Sequence, residues 1–348
     1  MDQSIFSIIR ILTLTLIAFV LTLAWTPVLL RRLKRFKLGK SIRDASSAPV
    51  MAQLHAAKSG TPTMGGIVIW ATVTALALIL SFGCQLKFSS ACTWSFLSRS
   101  QTYLPLGALI AAALIGLIDD YMNIRRIGPR GGGLRMRHRL ISYSIIACGG
   151  AWWFFSKLDW DILHVPFVGN LSLGWIYILI FAFVIIATSF SVNETDGLDG
   201  LAGGPLMAAF AAYGVIAFTQ GKTDLAVFCM AIVGSLMGFL WYNVSPAKLF
   251  MGDTGAMSLG TLLGVVAMLT NQALLLPLIG LPFVIISASV LLQLASKKFF
   301  KRKLFRSSPL HHHLEAIGWT EPQIVFRFWI ISIFSSGIGV VLALLDKV

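Results

Sequence analysis

The sequence predicts an all-α, polytopic integral membrane protein with ten transmembrane helices and both termini in the periplasm. Three observations lead to this class. Of the 348 residues, 57% are hydrophobic and 12% are charged, whereas a soluble domain carries about 25% charged residues. Ten apolar segments are long enough to cross, or nearly cross, a bilayer. Lys and Arg are concentrated in every second loop between these segments.

The ten apolar segments follow one another with short polar loops between them. The first run is too long for a cleavable signal peptide and has no small-residue cleavage site after it, so we expect it to remain as a span. The ninth contains Pro277 and Pro282, and we expect it to be kinked or broken. The expected spans are 5–30, 67–82, 104–118, 140–155, 175–190, 201–218, 225–242, 256–269, 274–294 and 324–344.

The distribution of basic residues sets the predicted orientation. The formal net charge is +14, and the loops after every odd-numbered segment, with Arg327, hold 22 of the 28 Lys and Arg residues. Cytoplasmic loops carry such an excess, so topology explains the charge and no nucleic-acid partner is expected. We therefore expect one transmembrane domain over residues 1–348, with cytoplasmic loops near 31–66, 119–139, 190–200, 243–254 and 296–322. Cys84 and Cys92 share an outer loop, where they could pair.

The loop at 191–205, SVNETDGLDGLAGGP, combines acids, an amide and four glycines between two apolar segments. Carboxylates this close to a bilayer are costly and persist mainly where they have a function. A helix beginning near Thr195 would place Asp196 and Asp199 on one face, with Asn193 one turn earlier. The glycines would let a ligand approach the backbone. The alternative is a flexible loop with helix-capping acids.

Asp119 and Asp120 end the third apolar segment, in LIDDY. Adjacent residues of a helix point about 100° apart. One carboxylate can therefore face a site while the other pairs with a nearby Lys or Arg. The alternative is a pair of helix-end acids in interfacial water, but their position at a basic cytoplasmic face favours a functional pair.

Asp253, in FMGDTG, is a single acid at the boundary of the eighth segment. Its spacing leaves two roles open. It could be an ordinary N-cap of the following helix. It could instead be one of the one or two carboxylates with which Mg²⁺ is usually held, beside substrate phosphates and water.

Imidazole and amine groups on the same predicted side complete the candidate site. His311, His312 and His313 are contiguous and cannot all bind one metal without a tight turn, so they suit phosphate contacts or proton transfer near neutral pH. Lys58 could neutralise a phosphate as a point charge. For both, the alternative is an ordinary solvated loop. Acids, basic groups and a glycine-rich loop together indicate phosphoryl transfer, and a lipid-borne acceptor phosphate would explain the membrane setting.

Five stretches of the sequence carry a resemblance to a known family. They are Lys58 with GTPTMGG at 60–66, LIDDY at 117–121, NETDGLDGLAGG at 193–204, WYNVSPAKLFMGDTGA at 241–256 and SPLHHHLEAIGWTEPQIVFRFW at 308–329. In these stretches the chain resembles the polyprenyl-phosphate N-acetylhexosamine-1-phosphate transferases, and most closely their phospho-N-acetylmuramoyl-pentapeptide-transferase branch. The resemblance runs from Arg31 to the C-terminus.

The resemblance implies an activity and a location. Phospho-MurNAc-pentapeptide is transferred from UDP-MurNAc-pentapeptide to undecaprenyl phosphate, giving lipid I and UMP in the first membrane step of peptidoglycan synthesis. It also implies Mg²⁺, a homodimer, and a multi-pass protein of the bacterial cytoplasmic (inner) membrane whose site faces the cytoplasm.

The resemblance further implies roles for individual residues. Asp253 ligates the metal, and the catalytic group is Asp119, Asp120, Asp253, His311 and His312. Gly197 and Leu198 line the uracil pocket, and Phe250 lies near the base. The substrate-binding residues implied are Lys58, Asn193, Asp196, Gly197, Leu198, Asp199, Asn243, Phe250 and His313.

Two positions depart from the pattern of the family. The family commonly has an asparagine three residues before Asn193, where this chain has Phe190. It commonly has a lysine three residues after the acid pair, where this chain has Asn123, and Arg125 or Arg126 could compensate. We expect the first departure to remove one polar contact near the nucleotide or the metal.

Alternative functions and mechanisms follow from the same residues. Another UDP-N-acetylhexosamine:polyprenyl-phosphate sugar-1-phosphate transferase would use the same motifs. A transporter of lipid-linked sugars predicts acids near mid-span, whereas these acids lie at span ends, which favours an enzyme. We favour direct attack of the lipid phosphate on the β-phosphorus of the donor over a covalent phospho-sugar intermediate on an aspartate.

Overall fold

The computed structural model describes residues 3–39, 58, 60–128, 132–157 and 159–346. The expected cytoplasmic loops near 31–66 and 119–139 therefore lie partly outside the described residues, at 40–57, 59 and 129–131. The described chain is nearly all helical and contains one two-stranded antiparallel sheet.

The long helices of the described chain follow the ten expected segments, and each expected segment overlaps one of them. Short elements lie between them. In chain order the elements are α1 (Gln3–Arg35), α2 (Gly66–Gln85), α3 (Ser89–Trp94), α4 (Tyr103–Ile124), α5 (Met136–Lys157), β1 (Ile162–Val165), β2 (Gly169–Ser172), α6 (Ile176–Thr195), α7 (Gly203–Thr219), α8 (Thr223–Asn243), α9 (Gly252–Leu269), α10 (Leu276–Ile279), α11 (Leu281–Phe299), α12 (Leu310–Ala316) and α13 (Glu321–Leu345).

Eight of the described helices are long and apolar enough to cross a membrane, namely α1, α2, α4, α6, α8, α9, α11 and α13. Helix α7 is apolar but has 17 residues. Helix α5 begins with the basic turn Met136–Arg139, which lowers the mean hydropathy of its first half. The chain is thus a multi-pass membrane protein.

The ninth expected segment is broken in the structure. A 3₁₀ turn at Ala273–Leu275 leads into α10, and Gly280 separates α10 from α11. Pro277 and Pro282 each lie in the first turn of a helix, where a missing N–H removes no intrahelical hydrogen bond. The two prolines therefore begin two helices instead of bending one.

Helix α9 is the buried centre of the bundle. Every residue from Thr254 to Leu269 is buried, and α9 packs on α4, α6 and α2. Glycines allow these backbones to approach: a Cβ on Gly66 would lie 2.2 Å from the Cα of Gly255, and one on Gly116 would lie 2.4 Å from the carbonyl oxygen of Asp253. Small residues at such contacts let membrane helices pack closely. This contact fixes the first turn of α9 against α2 and α4.

The end of the bundle that holds the start of α1 contains the expected cysteine pair, and Cys84 and Cys92 are joined by a disulfide. Nearby, the buried Arg10 forms an ion pair with Asp224 at 2.8 Å and donates to the carbonyl of Ser95. These contacts tie the first turns of α1 and α8 to the segment between α3 and α4.

The hairpin of β1 and β2 holds the end of the last helix. Ile162 pairs with Ser172 and Val165 with Gly169. Beyond α13, the carboxylate of Asp346 accepts from the backbone N–H of Phe167 at 2.5 Å and contacts Nε2 of His164.

His164 and Asp346 have shifted pKa values. Partial burial disfavours the charged imidazole, but hydrogen bonds to Asp346 and Asn170 outweigh it and raise the pKa of His164. The hydrogen bond from the N–H of Phe167 has the largest effect and lowers the pKa of Asp346; burial opposes it, and His164 adds to the lowering.

These shifts predict a pH-dependent stability. Because the folded-state pKa of His164 is raised, its contribution is complete below its unfolded pKa of about 6.5 and disappears as the pH rises through the folded value. Asp346, with a lowered pKa, contributes above its unfolded value of about 3.9. Thermal unfolding in detergent should therefore separate wild type from His164→Gln most at pH about 5.5, and progressively less at higher pH. A difference that does not change with pH would contradict this assignment.

Candidate active site

The side chains of seven residues, five of them acids or amides, converge at the end of the bundle opposite the disulfide. The last turns of α4 and α6 and the first turn of α9 meet there and enclose a cavity of about 60 Å³. The sequence separates these residues by up to 190 positions, and the helix packing brings them together. The cavity is lined by Thr63, Asp120, Asn123, Ile124, Asn193, Asp196 and Asp253.

Asp120 caps the first turn of α9. The backbone N–H groups of Asp253 and Thr254 donate to its two carboxylate oxygens, each at 3.0 Å. The first N–H groups of a helix have no partner within the helix, so a carboxylate there is stabilised by them and by the helix dipole. Gly252 has φ +74°, and a Cβ there would lie 2.6 Å from Oδ2 of Asp120. The capping contact thus requires glycine.

Asp253 is not the N-cap of α9, because it lies inside the helix and Asp120 supplies the cap. Its own carboxylate faces the cavity. Oδ1 accepts from the side-chain amide of Asn193 at 2.7 Å, and Oδ2 pairs with Nη2 of Arg139 at 3.0 Å. Of the two roles that the sequence left open, the geometry removes the capping one.

Asp119 points away from Asp120, as the helical geometry predicted. It is fully buried; Oδ2 pairs with Nε of Arg139 at 2.6 Å, and Oδ1 accepts from the N–H of Leu134 at 2.6 Å. One acid of the pair therefore lines the cavity, and the other holds an arginine beside it.

Arg139 is one of the site residues that the sequence did not reveal, since its charge matches that of the topology-setting basic residues around it. Its guanidinium contacts Asp119, Asp253 and the side-chain oxygen of Asn193. A periodicity signal was available: Arg139 precedes Tyr143 and Ala147 by one and two turns, and both are buried on the inner face of α5. A buried carboxylate such as Asp119 also demands a cationic partner.

The acidic loop does not form the helix that was expected from Thr195. Helix α6 ends at Thr195, and the next helix begins at Gly203. Gly200, with φ +80°, interrupts a helical path. As a result Asp196 lines the cavity, whereas Asp199 points to a different set of partners.

Asp199, Lys58 and Glu321 form what we call the Lys58 cluster. Nζ of Lys58 lies 2.7 Å from Oδ1 of Asp199 and 2.5 Å from Oε1 of Glu321. The N–H of Asp199 donates to the same Oε1 at 2.7 Å, and the N–H of Ala247 donates to Oδ2 of Asp199 at 3.0 Å. The sequence reasoning named Lys58 and Asp199 but gave Glu321 no role.

Asn243 and Phe250 hold the loop after α8 against its neighbours. Asn243 accepts from the N–H of Gly200 at 3.0 Å and donates to the carbonyl of Leu249 at 2.8 Å. The backbone of Phe250 donates to Pro62 at 2.9 Å and accepts from Gly65 at 2.7 Å. These bonds join the loops at 60–65, 196–202 and 244–251 into one unit.

The three histidines of α12 separate into two environments. His311 is buried against the loop, since a Cβ on Gly197 would lie 2.2 Å from its Nε2. Nδ1 of His312 lies 2.8 Å from Oε2 of Glu315. His313 instead accepts from the N–H of Arg306 at 3.2 Å and packs on the ring of Phe305. The structure thus places His311 next to Gly197 and turns His313 towards the segment before α12.

The donor atoms around the cavity fit a hard cation. Asp120, Asp196 and Asp253 supply carboxylate oxygens there, and oxygen is the donor that Mg²⁺ prefers. Within the described part of the chain, no three His, Cys, Asp or Glu side chains converge as a metal cage. Mg²⁺ commonly takes one or two carboxylates together with water and substrate phosphates, so the cavity suits Mg²⁺ that arrives with a phosphate-bearing ligand.

Comparisons with known proteins agree with the motifs. Residues 102–271 match the glycosyl transferase family 4 model, and residues 58–69 match signature 1 of the phospho-N-acetylmuramoyl-pentapeptide-transferases. The signature begins at Lys58 and includes the GTPTMGG turn, which contributes Thr63 to the cavity.

Relatives of this name match over nearly the whole chain. The phospho-N-acetylmuramoyl-pentapeptide-transferase of Desulfosudis oleivorans is 39% identical and covers 93% of this chain and 90% of its own length. The proteins of the same name from Geobacillus thermodenitrificans and Chloroflexus aurantiacus are each 39% identical, with 93% and 97% of this chain and 95% and 90% of their own lengths covered. The chain belongs to the phospho-N-acetylmuramoyl-pentapeptide-transferase family.

Proposed function

We propose that this chain transfers phospho-MurNAc-pentapeptide from UDP-MurNAc-pentapeptide to undecaprenyl phosphate, with lipid I and UMP as products. Family membership supports the reaction class. The observation that carries the proposal is the cavity at one end of a membrane bundle, where three carboxyl groups line a space of about 60 Å³ and one of them, Asp253, pairs with Arg139. Acids at a bilayer surface with a site for a phosphate-bound cation suit phosphoryl transfer to a lipid.

Asp253 is the residue that we propose to hold Mg²⁺, with Asp196 and Asn193 beside it. When bound, Mg²⁺ would offset the negative charge of the donor diphosphate. Arg139, whose guanidinium already touches Asp253 and Asn193, lies where it can bind an oxygen of the same diphosphate. Its planar fork suits phosphate oxygens.

Asp120 is the acid that we propose to orient the acceptor, because it lines the cavity while Asp119 is fully buried behind Arg139. An oxygen of the lipid phosphate attacks the β-phosphorus of the donor, and the bond from that phosphorus to the bridging oxygen breaks. The electron pair of the broken bond leaves with UMP. A phosphate monoester has its second pKa at about 6, so orientation matters more than proton removal.

The contacts that Asp119 and Asp120 already make support direct transfer over a covalent intermediate on an aspartate. Oδ1 of Asp119 accepts from the N–H of Leu134 and Oδ2 forms an ion pair with Arg139, while both oxygens of Asp120 accept from backbone N–H groups of α9. An aspartate that attacks phosphorus needs an oxygen directed at it, and here each would first have to break a buried interaction. The lipid phosphate needs no such rearrangement.

We propose that the loop at 196–200, with Phe250, receives the uridine. Gly197 and Leu198 offer backbone and apolar surface, and the loop is held by Asn243 and by the Lys58 cluster. We propose that His311, beside Gly197, and His312, whose ring packs on that of His311, contact the phosphates of the donor. His313 faces Arg306, so we give it a supporting role in the fold of this segment.

We also propose ten membrane crossings, outer termini and one domain, with the site on the cytoplasmic face of the inner membrane. The contacts support this, because helix ends alternate between the two ends of the bundle. Residues 58–66, the ends of α4, α6 and α8 and the starts of α9 and α13 meet at the site. The starts of α1 and α8, the disulfide and the hairpin lie at the other end. A disulfide suits an oxidising outer compartment. We infer a homodimer from the family resemblance.

Release of UMP tests the proposed reaction. Purified protein in detergent, supplied with UDP-MurNAc-pentapeptide, undecaprenyl phosphate and Mg²⁺, should release UMP and form lipid I. Asp253→Asn should lower turnover by at least about 100-fold, since a metal at a phosphoryl group contributes several kcal/mol. It should also shift the Mg²⁺ titration to higher concentration.

The matched control is Asp161→Asn, which makes the same change in the hairpin beside Ser172 and should leave turnover intact. Wild-type protein that releases no UMP above background, with both substrates present, would refute the proposed reaction.

Isotope exchange separates the two mechanisms. If transfer is direct, labelled UMP should not enter UDP-MurNAc-pentapeptide when undecaprenyl phosphate is absent, because no phospho-sugar enzyme exists to accept it. The label should appear once lipid I is added. Exchange at a rate close to turnover without any lipid would demonstrate a covalent intermediate.

Thiol labelling tests the orientation. Lys301→Cys, after α11, and Lys87→Cys, after α2, place thiols at exposed positions on the opposite ends of the bundle. In intact cells an impermeant maleimide should label the cysteine at 87 and not the one at 301, and lysis should expose both. The reverse pattern would place the site outside.

A further inference from the structure

We propose that Glu321 is a positioning residue for the nucleotide half of the donor, an inference that rests on the proposed function. Its carboxylate fixes Lys58 and Asp199, and through them the loop at 196–200 that we expect to receive the uridine. Glu321 lies in the first turn of α13, far from the cavity acids in sequence. Its role is to hold the loop, and it need not touch the substrate.

The first step of the argument is how one carboxylate oxygen serves two donors. Oε1 of Glu321 accepts from Nζ of Lys58 at 2.5 Å and from the backbone N–H of Asp199 at 2.7 Å. The first bond reaches the residue that precedes the GTPTMGG turn, and the second reaches the backbone of the acidic loop. Bonds of this kind, in which one group is charged, are roughly twice as strong as neutral ones.

The second step is that the cluster closes on itself. Lys58 also binds Oδ1 of Asp199, and the N–H of Ala247 binds Oδ2. Two negative charges share one positive charge, and Asp199 is 4% exposed. A buried carboxylate must keep its partners to remain charged. Without Glu321, the N–H of Asp199 and one side of the ammonium group would lose their acceptor, so the loop would shift to find another.

The third step is that the position of Glu321 is itself rigid. Thr320 and Gln323 form a capping box at the start of α13. The following turns pack Ile324, Val325 and Phe328 against Leu198 and Leu201 in a small buried cluster. The apolar contacts hold α13 against the loop. The carboxylate of Glu321 then fixes the position of the Asp199 backbone along α13.

The fourth step connects the cluster to the substrate. Leu198 lies between Gly197, which touches His311, and Asp199, which is bonded to Glu321. A displacement of Asp199 therefore moves the backbone on both sides of Leu198. Asp120 accepts from the backbone N–H of Asp253, and the carboxylate of Asp253 pairs with Arg139, so these cavity acids should not move. The effect should appear in nucleotide binding and spare the chemical step.

The experiment compares Glu321→Gln and Glu321→Ala in the full chain in detergent. The readouts are KM for UDP-MurNAc-pentapeptide, KM for undecaprenyl phosphate, kcat, and the Kd of UMP by calorimetry. Glu321→Ala should raise the donor KM and the Kd of UMP by roughly tenfold or more, the effect of removing a charged hydrogen-bond acceptor. Glu321→Gln retains an acceptor oxygen and should fall between wild type and Glu321→Ala. Both variants should keep kcat and the acceptor KM within about twofold, because Asp120, Asp253 and Arg139 are held by contacts of their own.

Asp224→Asn is the matched control, because it also removes the charge of a partly buried acid from an ion pair, at the other end of the bundle. It should lower the melting temperature and leave the donor KM and the Kd of UMP unchanged. Equal losses of UMP affinity in Asp224→Asn and Glu321→Gln would show a global effect and overturn the proposal. So would a fall in kcat at unchanged donor KM.

Two further outcomes are decisive. If Glu321→Ala does not fold, the isosteric Glu321→Gln decides, and a UMP Kd equal to that of wild type would refute the positioning role. If wild-type protein binds UMP but does not turn over UDP-MurNAc-pentapeptide, the proposed function fails. In that case, comparing the Kd of UMP between wild type and the Glu321 variants still tests whether Glu321 positions the loop.

Discussion

The site depends on one arginine that lies among carboxyl groups at a membrane surface. Arg139 joins Asp119 on α4, Asp253 on α9 and Asn193 on α6, so three helices meet at a single guanidinium. Breaking a buried ion pair leaves an uncompensated charge, at a cost of about 3–5 kcal/mol. The arrangement of α4, α6 and α9 is therefore tied to the geometry of the acids. A planar group with five donors can bridge three acceptors, which a single ammonium on a flexible stem does less well.

Close packing makes this arrangement possible. The first turn of α9 reaches the site because Gly66, Gly116 and Gly255 let α2 and α4 approach it at backbone distance. The same turn presents two N–H groups to Asp120. The first turn of α9 thus both receives its cap from Asp120 and carries Asp253, the residue that we propose to hold Mg²⁺. The carboxylate of Asp253 can face the cavity because Asp120, and not Asp253 itself, accepts the first N–H groups of α9.

The candidate site contains two separate groups of contacts. The cavity group consists of Asp120 and Asp253, which line the cavity, and Arg139, which pairs with Asp253; we propose that the phosphates of the donor bind there. The Lys58 cluster and Asn243 hold the glycine-rich loop, and His311 packs against that loop at Gly197. The two groups meet at the loop after α6, which carries Asp196 into the first and Asp199 into the second.

The sequence alone determined the class of the protein and the positions of the long helices, and it drew attention to Asp120, Asn193, Asp196 and Asp253, which line the cavity. Hydrophobic runs and charge are local properties, so they could be read without coordinates, as could the break at Pro277 and Pro282 and the divergence of Asp119 from Asp120. The tertiary structure decided which partners those residues have. Asp196 and Asp199 are three positions apart, yet they serve different groups because α6 ends at Thr195 and Gly200 turns the chain. Arg139 and Glu321 resembled ordinary surface charges in the sequence, since an ion pair between residues more than a hundred positions apart leaves no local pattern. Helix packing created those partnerships, and packing depends on long-range contacts that no single stretch of sequence contains.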